Sequence, residues 1–571
     1  MTLLLQEAKA RRSFISKNLE IDSWQKIEEY FNILHEQKIN SSEELRQWLL
    51  KRSELEAVLE EEKAWKYIRL SCDTGNAKLA EDFNRFTSDI EPLAHKQFNS
   101  LDKKLIADYA NLEKIPYYEV FIRCIRQGLE IFRDDNVKLL SELEIKEQEY
   151  SAVTGAMTIH FDNREITLQE AQNYLKSTDR NIRKEVFEQV NNRRISDRIT
   201  LDNLLTELID KRTEAAHNAD FENYRDFRFA QMNRFDYSSQ DCFDFHAAIK
   251  SEVVPLVDEI LGERKSKLGY KSLKPYDLDV DVDQKPALKP FSTIEELIEK
   301  TISCLSEISE EFGSFISVMD KQGYLDLGSR KGKAPGGYNY PLHESNVPFI
   351  FMNATNNLRD LVTMVHESGH AIHSFLSRDL DFVYYKELTP EIAELASMSM
   401  ELISMEHWHH FFNEDDLVRA KKIQLEQVIG VLPWVATVDK FQHWLYTHPN
   451  HTVTDRTSAW VDISNEFGSS VIDWTDYPDF YSMVWQKQIH IFQFPFYYIE
   501  YAMAQLGAIA IWKNYKQNKN KTIEEYKAAL SAGYSKPIPE IYNTAGIEFN
   551  FKKEYIRDLM NFVQEELNSL H

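Results

Sequence analysis

Apolar residues recur at spacings of three and four through most of the chain, so the pattern predicts a mainly α-helical protein. From about Asp22 to Gln148 the pattern is amphipathic and carries helix-start signals such as Ser41-x-x-Glu44. Within it the charged run Glu60-Glu61-Glu62-Lys63 reads as a solvated helix face. Near Ser151 the period changes. Ala156 to Phe161, the pair Asp162-Asn163 and Arg164 to Ile166 predict a β-hairpin, after which Thr167-x-x-Glu170 opens a helix with a capping box. A soft boundary falls here, dividing an N-terminal region, residues 1–150, from a second region, residues 151–571. Helical spacing resumes to about Gly269, a polar connection runs from Lys271 to Pro290, and Ser292-x-x-Glu295 begins a helix reaching about Gly323. Pro348 to Asn353 reads as a short strand leading into a further helix. It is either an edge able to hold an extended peptide or a fully paired strand.

That further helix contains Val365 to His373, with His366-Glu367-Ser368-Gly369-His370 inside it. Leu358, Leu361, Val362, Val365, Gly369 and Ile372 mark its buried face. Residues four apart share one face one turn apart, so His366 and His370 can aim ring nitrogens at one metal ion. Zinc takes such a pair, and a catalytic zinc needs a third protein ligand while keeping a position for water. Glu367 is placed to take a proton from that water.

No histidine stands ten residues after the first, because position 376 is Leu376. His373 is too close along the helix to converge as a third ligand and is expected to pack behind the ligands or orient one. Downstream, Thr389 caps a helix with Pro390 at its first position. Glu391 falls in the first turn, where a carboxylate favours a helix N-terminus without any metal. Glu394 lies nearly one turn further in and is assigned as third ligand, with Glu401 on the same face to orient a ligand histidine. His407, His409 and His410 read as helix surface.

Composition narrows the function classes. Ninety-two acidic against 67 basic residues give a net charge of −25, which argues against a nucleic-acid surface. Cys72, Cys124, Cys242 and Cys304 are scattered and suggest neither a disulfide framework nor a thiolate metal site. With no signal-peptide core near Met1, and with the apolar stretch Phe494 to Trp512 broken by Glu500 and Gln505 into a buried helix, a cytoplasmic, non-membrane protein is expected. Asp277, Asp279 and Asp281 alternate like a calcium loop, but Val282 and Leu288 occupy positions that need Gly and Glu. The glycine-rich run from Gly328 to Tyr338 lacks the spacing of a phosphate loop. It either closes over a substrate, through Gly336, Gly337 and Tyr338, or simply connects.

The run His366 to His373, with Glu394, Ser397 and Glu401 downstream, resembles the thimet oligopeptidase and oligoendopeptidase F family of zinc metallopeptidases, closest to its bacterial oligoendopeptidase branch. The resemblance extends from about Thr154 to Gly546, and the N-terminal part agrees only in helical character. It implies one Zn2+ per chain held by His366, His370 and Glu394, with Glu367 as the base. It also implies that His490, followed by Tyr497, Tyr498 and Tyr501, binds substrate and stabilises the transition state. His490 and Tyr501 match the family segment best; its earlier tyrosine falls near Phe494, so Tyr497 or Tyr498 serves instead. The family fold is two helical lobes enclosing a deep channel, here with a small β component near the zinc site and residues 1–150 as one wall. The implied activity is hydrolysis of internal bonds in short, unfolded peptides. The alternatives are a dipeptidyl carboxypeptidase using the same zinc site, or a non-catalytic peptide-binding protein with structural zinc. The presence of Glu367 counts against the last.

Overall fold

The computed structural model describes residues 2–108 and 115–570. Helices dominate, as the spacing requires, and among the described residues five short strands interrupt them: β1 (Thr158–Phe161), β2 (Arg164–Thr167), β3 (Leu325–Gly328), β4 (Tyr338–Tyr340) and β5 (Phe349–Ala354). The chain divides into two compact units. One comprises Met1–Leu129, Leu288–Lys421 and Ala504–Phe549, and the other Glu130–Ala287, Lys422–Met503 and Asn550–His571.

In the first unit the N-terminal helices gather round the helix Ser42–Cys72, whose Ser41 cap accepts from the Glu44 amide at 3.2 Å as predicted. Trp48 is fully buried and its indole donates to the Leu34 carbonyl at 2.9 Å, so the largest side chain of this core is also hydrogen-bonded. The charged run on this helix is not wholly solvated. Glu61 is 2% exposed, and its carboxylate accepts from the Glu344 and Ser345 amides at 2.8 and 2.7 Å and from the Ser345 hydroxyl. A buried carboxylate is tolerated where several donors meet it, and here it ties the N-terminal helices to the segment before β5.

The strands β3, β4 and β5 form a sheet in the order β3-β5-β4, with β3 parallel and β4 antiparallel to β5. The predicted strand from Pro348 is therefore the central one, paired on both sides, and β4 is an edge strand. Phe349, Ile350, Phe351 and Met352 are all buried, which explains why this strand reads as a continuous apolar run. The preceding glycine-rich loop is latched to the end of helix Ser42–Cys72: the Thr74 amide donates to Gly332 O at 2.7 Å and the Ala334 amide to Ser71 O at 2.8 Å. Two of its basic groups, the exposed Arg330 and Lys333, whose side chain is buried, meet one carboxylate. Arg330 grips the Asp326 carboxylate at 2.6 and 2.7 Å, and Lys333 donates to the same carboxylate at 2.9 Å. These contacts anchor the loop to the end of helix Ser42–Cys72 and to Asp326.

Two predicted helices are revised. The pattern from Ser292 to Gly323 is two helices, Ile294–Ile308 and Glu310–Gln322, broken where Ser309 is extended, and the cap is Thr293 accepting from Glu296 rather than Ser292. The apolar stretch from Phe494 becomes helical only at Ile499 and runs to Gln517. Pro495 disfavours a helical Phe494, and Phe496 adopts a positive φ of 66°, so the chain turns before the helix starts.

In the second unit β1 and β2 pair antiparallel with Thr158 opposite Thr167, and Asp162 and Asn163 both have positive φ, as the tight hairpin demands. Thr167 and Glu170 form the predicted capping box. Asp277 meets guanidinium groups rather than calcium: Arg183 and Arg180 lie 2.8 and 2.6 Å from its oxygens. Arg212, fully buried, donates to Tyr446 Oη at 2.6 Å and to the carbonyls of Ile491 and Phe492, tying helix Arg198–Asn218 to the segment that carries His490.

Candidate active site

The motif lies on the helix Leu358–Ser377, which starts at a capping box between Asn357 and Asp360. Glu394 and Glu401 lie on the helix Pro390–Ser404, with Thr389 before it and Pro390 at its first position as predicted. The two helices approach closely at Gly369, where a Cβ would stand 2.6 Å from Ser397 Cα. Only a glycine between the two histidines allows that approach.

This packing brings His366, His370 and Glu394 together, with one ligand atom from each lying within 4.8 Å of the others. Glu394 Oε2 is 3.4 Å from His366 Nε2 and 3.9 Å from His370 Nε2. Ser397 Oγ donates to Glu394 Oε2 at 3.1 Å, which fixes that carboxylate. Glu401 Oε1 stands 2.7 Å from His366 Nδ1. A carboxylate there holds the ring proton on Nδ1 and leaves the Nε2 lone pair facing Glu394 and His370. Burial opposes a charged imidazole at His366, yet Glu401, Glu394 and Glu367 raise its pKa to about 10, so without a metal the ring takes a second proton at Nε2, the position a bound cation would claim. Two imidazole nitrogens and a carboxylate oxygen form a donor set that suits zinc, and the converging carboxylates suit a dication.

Glu367 is 6% exposed, and its Oε2 makes no hydrogen bond among the described residues. Burial pushes its carboxyl up to about 7, where a group can both accept and release a proton near neutral pH. The Asn339 side chain reaches from β4 to the Glu367 carbonyl at 3.4 Å, tying the edge strand to the motif helix. Beside it, a Cβ on Gly337 would meet Thr363 of the motif helix at 3.4 Å, and Tyr338 stacks on Phe351 at 4.8 Å. Gly336, with a positive φ of 95°, passes its carbonyl to Asn353 Nδ2 at 2.9 Å. His373 is fully buried, and burial pushes it down to about 3, so it is a neutral imidazole packed on the helix one turn beyond His370.

His490 and the three tyrosines gather in the second unit. The His490 ring centroid is 4.7 Å from Tyr498, 5.9 Å from Tyr497 and 5.9 Å from Tyr501, and its Nδ1 is 2.6 Å from Gln488 Nε2. Burial pushes His490 down to about 4, so it is a neutral imidazole at pH 7. The histidines predicted on the surface divide: His409 is exposed, while His407 is buried between Glu307 at 2.7 Å and Tyr515 Oη at 2.9 Å. The buried donor cluster of Cys242, Asp439 and His443 is one that neither the cysteine spacing nor distance from the histidine motif reveals. The signal was present as two pairs spaced by four, Cys242 with His246 and Asp439 with His443.

Comparison with known proteins bears on the whole chain. Residues 14–132 match the Peptidase M3 N-terminal domain and residues 173–561 match Peptidase family M3, so the likeness reaches well into the N-terminal helices as well. An oligoendopeptidase F homolog of Borreliella burgdorferi is 23% identical over 97% of this chain and 93% of its own length. Oligopeptidase PepF of Bacillus subtilis is 23% identical over 72% of this chain and 60% of its own. The solved structure of PZ peptidase A with inhibitor 2 has a TM-score of 0.88 at 26% identity and covers 98% of this chain and 99% of that one. The helical fold, the paired histidines with their glutamates, and these matches agree: the chain belongs to peptidase family M3, in its oligoendopeptidase F branch, and is a metallo-oligopeptidase.

Proposed function

We propose that the protein is a cytoplasmic zinc oligoendopeptidase that hydrolyses internal bonds of short, unfolded peptides. The observation that supports it most is the convergence of His366, His370 and Glu394 beside the buried carboxylate of Glu367, whose Oε2 makes no hydrogen bond among the described residues. Among the described residues no helix is long and apolar enough to cross a membrane. When bound, zinc lowers the pKa of water and polarises a peptide carbonyl.

Glu367 takes the proton of the attacking water and hands it to the leaving amine, so the carboxylate begins and ends the cycle unprotonated. Glu401 holds His366 in the tautomer whose Nε2 can ligate, and Ser397 holds Glu394. Gly336, Gly337 and Tyr338, at the start of edge strand β4, are the proposed contacts to an extended peptide backbone. For His490, Tyr497, Tyr498 and Tyr501 the family resemblance implies donors to the substrate and to the oxyanion that forms on its carbonyl. Tyr501→Phe is expected to lower kcat about 100-fold with little change in KM, the loss typical of one oxyanion donor. An unchanged kcat would remove Tyr501 from that role.

Cleavage of an internally quenched peptide of about ten residues, with products identified by mass spectrometry, tests the reading. Cuts at internal bonds that cease on chelation and return with zinc support it. Release of C-terminal dipeptides alone would instead mark a dipeptidyl carboxypeptidase, and no cleavage with zinc bound would mark a binding protein. Glu394→Ala is expected to reduce zinc retention sharply, and unchanged retention would pass the third-ligand role to another residue, Glu391 first.

A further inference from the structure

A second set of metal-binding side chains lies in the second unit, and the peptidase chemistry makes no use of it. Cys242 and His246 are four residues apart on the helix Ser239–Ala248, and Asp439 and His443 are four apart on the helix Glu414–Thr447. Each helix thus presents two donors one turn apart on one face. The structure brings those faces together, with Cys242 Sγ, an Asp439 oxygen and a His443 nitrogen all within 4.8 Å of one another. Asp439 Oδ2 is 3.2 Å from His443 Nε2 and 2.9 Å from His246 Nε2. Around one tetrahedral zinc, such donors stand about 3.3–3.6 Å apart. The Asp439–His443 spacing is close to that between Glu394 and His366, 3.4 Å, in the other unit, while the Asp439–His246 pair is tighter, at hydrogen-bond distance.

Burial decides what this cluster can be. Cys242 and Asp439 are 0% exposed, and His246 and His443 are 3% exposed. A nucleophilic cysteine would need access to a substrate, and this one has none. Hydrogen bonding within the protein also leaves the cluster short. Among the described residues neither ring nitrogen of His443, nor His246 Nδ1, nor Asp439 Oδ1, makes a hydrogen bond. The Cys242 thiol reaches only the Ser238 carbonyl of its own turn, at 3.4 Å. Buried polar groups of a native fold are normally paired, so unpaired atoms on three neighbouring buried residues leave room for a partner that is not a side chain.

We propose that Cys242, His246, Asp439 and His443 bind a second, structural zinc ion. A sealed site offers no place for exchangeable water, so it needs four protein donors; His246 lies outside the close group of the other three, but its Nε2 is 2.9 Å from Asp439 Oδ2, and it supplies the fourth. Binding displaces the thiol proton to solvent and leaves a thiolate, as zinc coordination by cysteine requires. The ion joins helix Ser239–Ala248 to helix Glu414–Thr447 beneath the turn that leads into the tyrosine segment. The His443 ring lies 5.2 Å from Phe496, and the Phe496 amide donates to Gln442 Oε1 at 2.7 Å. The expected count of metal ions per chain therefore rises from one to two.

The inference does not depend on the peptidase reading, because its test reads metal content and an absorption band rather than turnover. The full chain is loaded with zinc, freed of loose metal and assayed for zinc by mass spectrometry, then reloaded with cobalt(II). Wild type is expected to hold two zinc ions, and both Cys242→Ser and Glu394→Ala one. Only the second site contains sulfur, so the near-ultraviolet sulfur-to-cobalt band should appear in wild type and Glu394→Ala and vanish in Cys242→Ser. Should Cys242→Ser fail to fold by circular dichroism, wild type and Glu394→Ala decide alone. One zinc in wild type, or two without the sulfur-to-cobalt band, overturns the proposal.

Discussion

Glu367→Gln is expected to keep its zinc and to lose about 1,000-fold in kcat on the quenched peptide, within the span typical of a general acid–base group. The amide has the shape of the carboxylate it replaces, so the buried position stays filled. It cannot accept a proton from water, so the step that generates the nucleophile and the step that protonates the leaving amine both fail. Since Glu367 lies outside the ligand group, metal content should not follow activity down. Zinc analysis beside the kinetic assay separates the outcomes. Activity near wild type would remove Glu367 as the base, whereas parallel loss of zinc and activity would make it a determinant of metal binding.

Gly369→Ala tests how the site is assembled rather than what it does. Its new methyl group would stand 2.6 Å from Ser397 Cα and 2.8 Å from the Ala396 carbonyl, both backbone atoms of the helix that carries Glu394. Backbone at that depth cannot step aside as a flexible side chain can, so the two helices must move apart. Overpacking of this kind costs about 1–3 kcal/mol in stability, and here the same displacement draws Glu394 away from the histidines. Thermal melting should fall by about 1–3 °C in the zinc-free protein, and competition with a chelator should show weaker zinc binding. A variant with unchanged melting and unchanged zinc affinity would mean that the close approach does not set the ligand geometry.

These expectations rest on relations that were legible in the sequence to different degrees. Short-range features were readable because their physics is local. His366 and His370 share a helix face whatever surrounds them, Thr167 and Glu170 close a capping box between neighbours, and Asp162-Asn163 supplies the φ > 0 that a tight hairpin needs. Glu394 was reachable by its place in a helix and by family resemblance, but spacing alone left Glu391 open. The structure separates the two, placing Glu394 Oε2 beside both imidazoles while Glu391 is buried with its carbonyl accepting from Tyr542.

What the sequence by itself determined, then, is the mainly helical character, the motif helix with its two histidines and the glutamate between them, and the local caps and turns. The tertiary structure alone decided that β5 is a central strand, that Glu61 is buried among amide donors, and that Cys242 and His246 face Asp439 and His443. Periodicity tells which residues share a face of one helix or strand. Which face meets which is set by the packing of whole elements, where close approaches such as that at Gly369 and the pairing of buried polar groups select one arrangement among many that the same pattern allows.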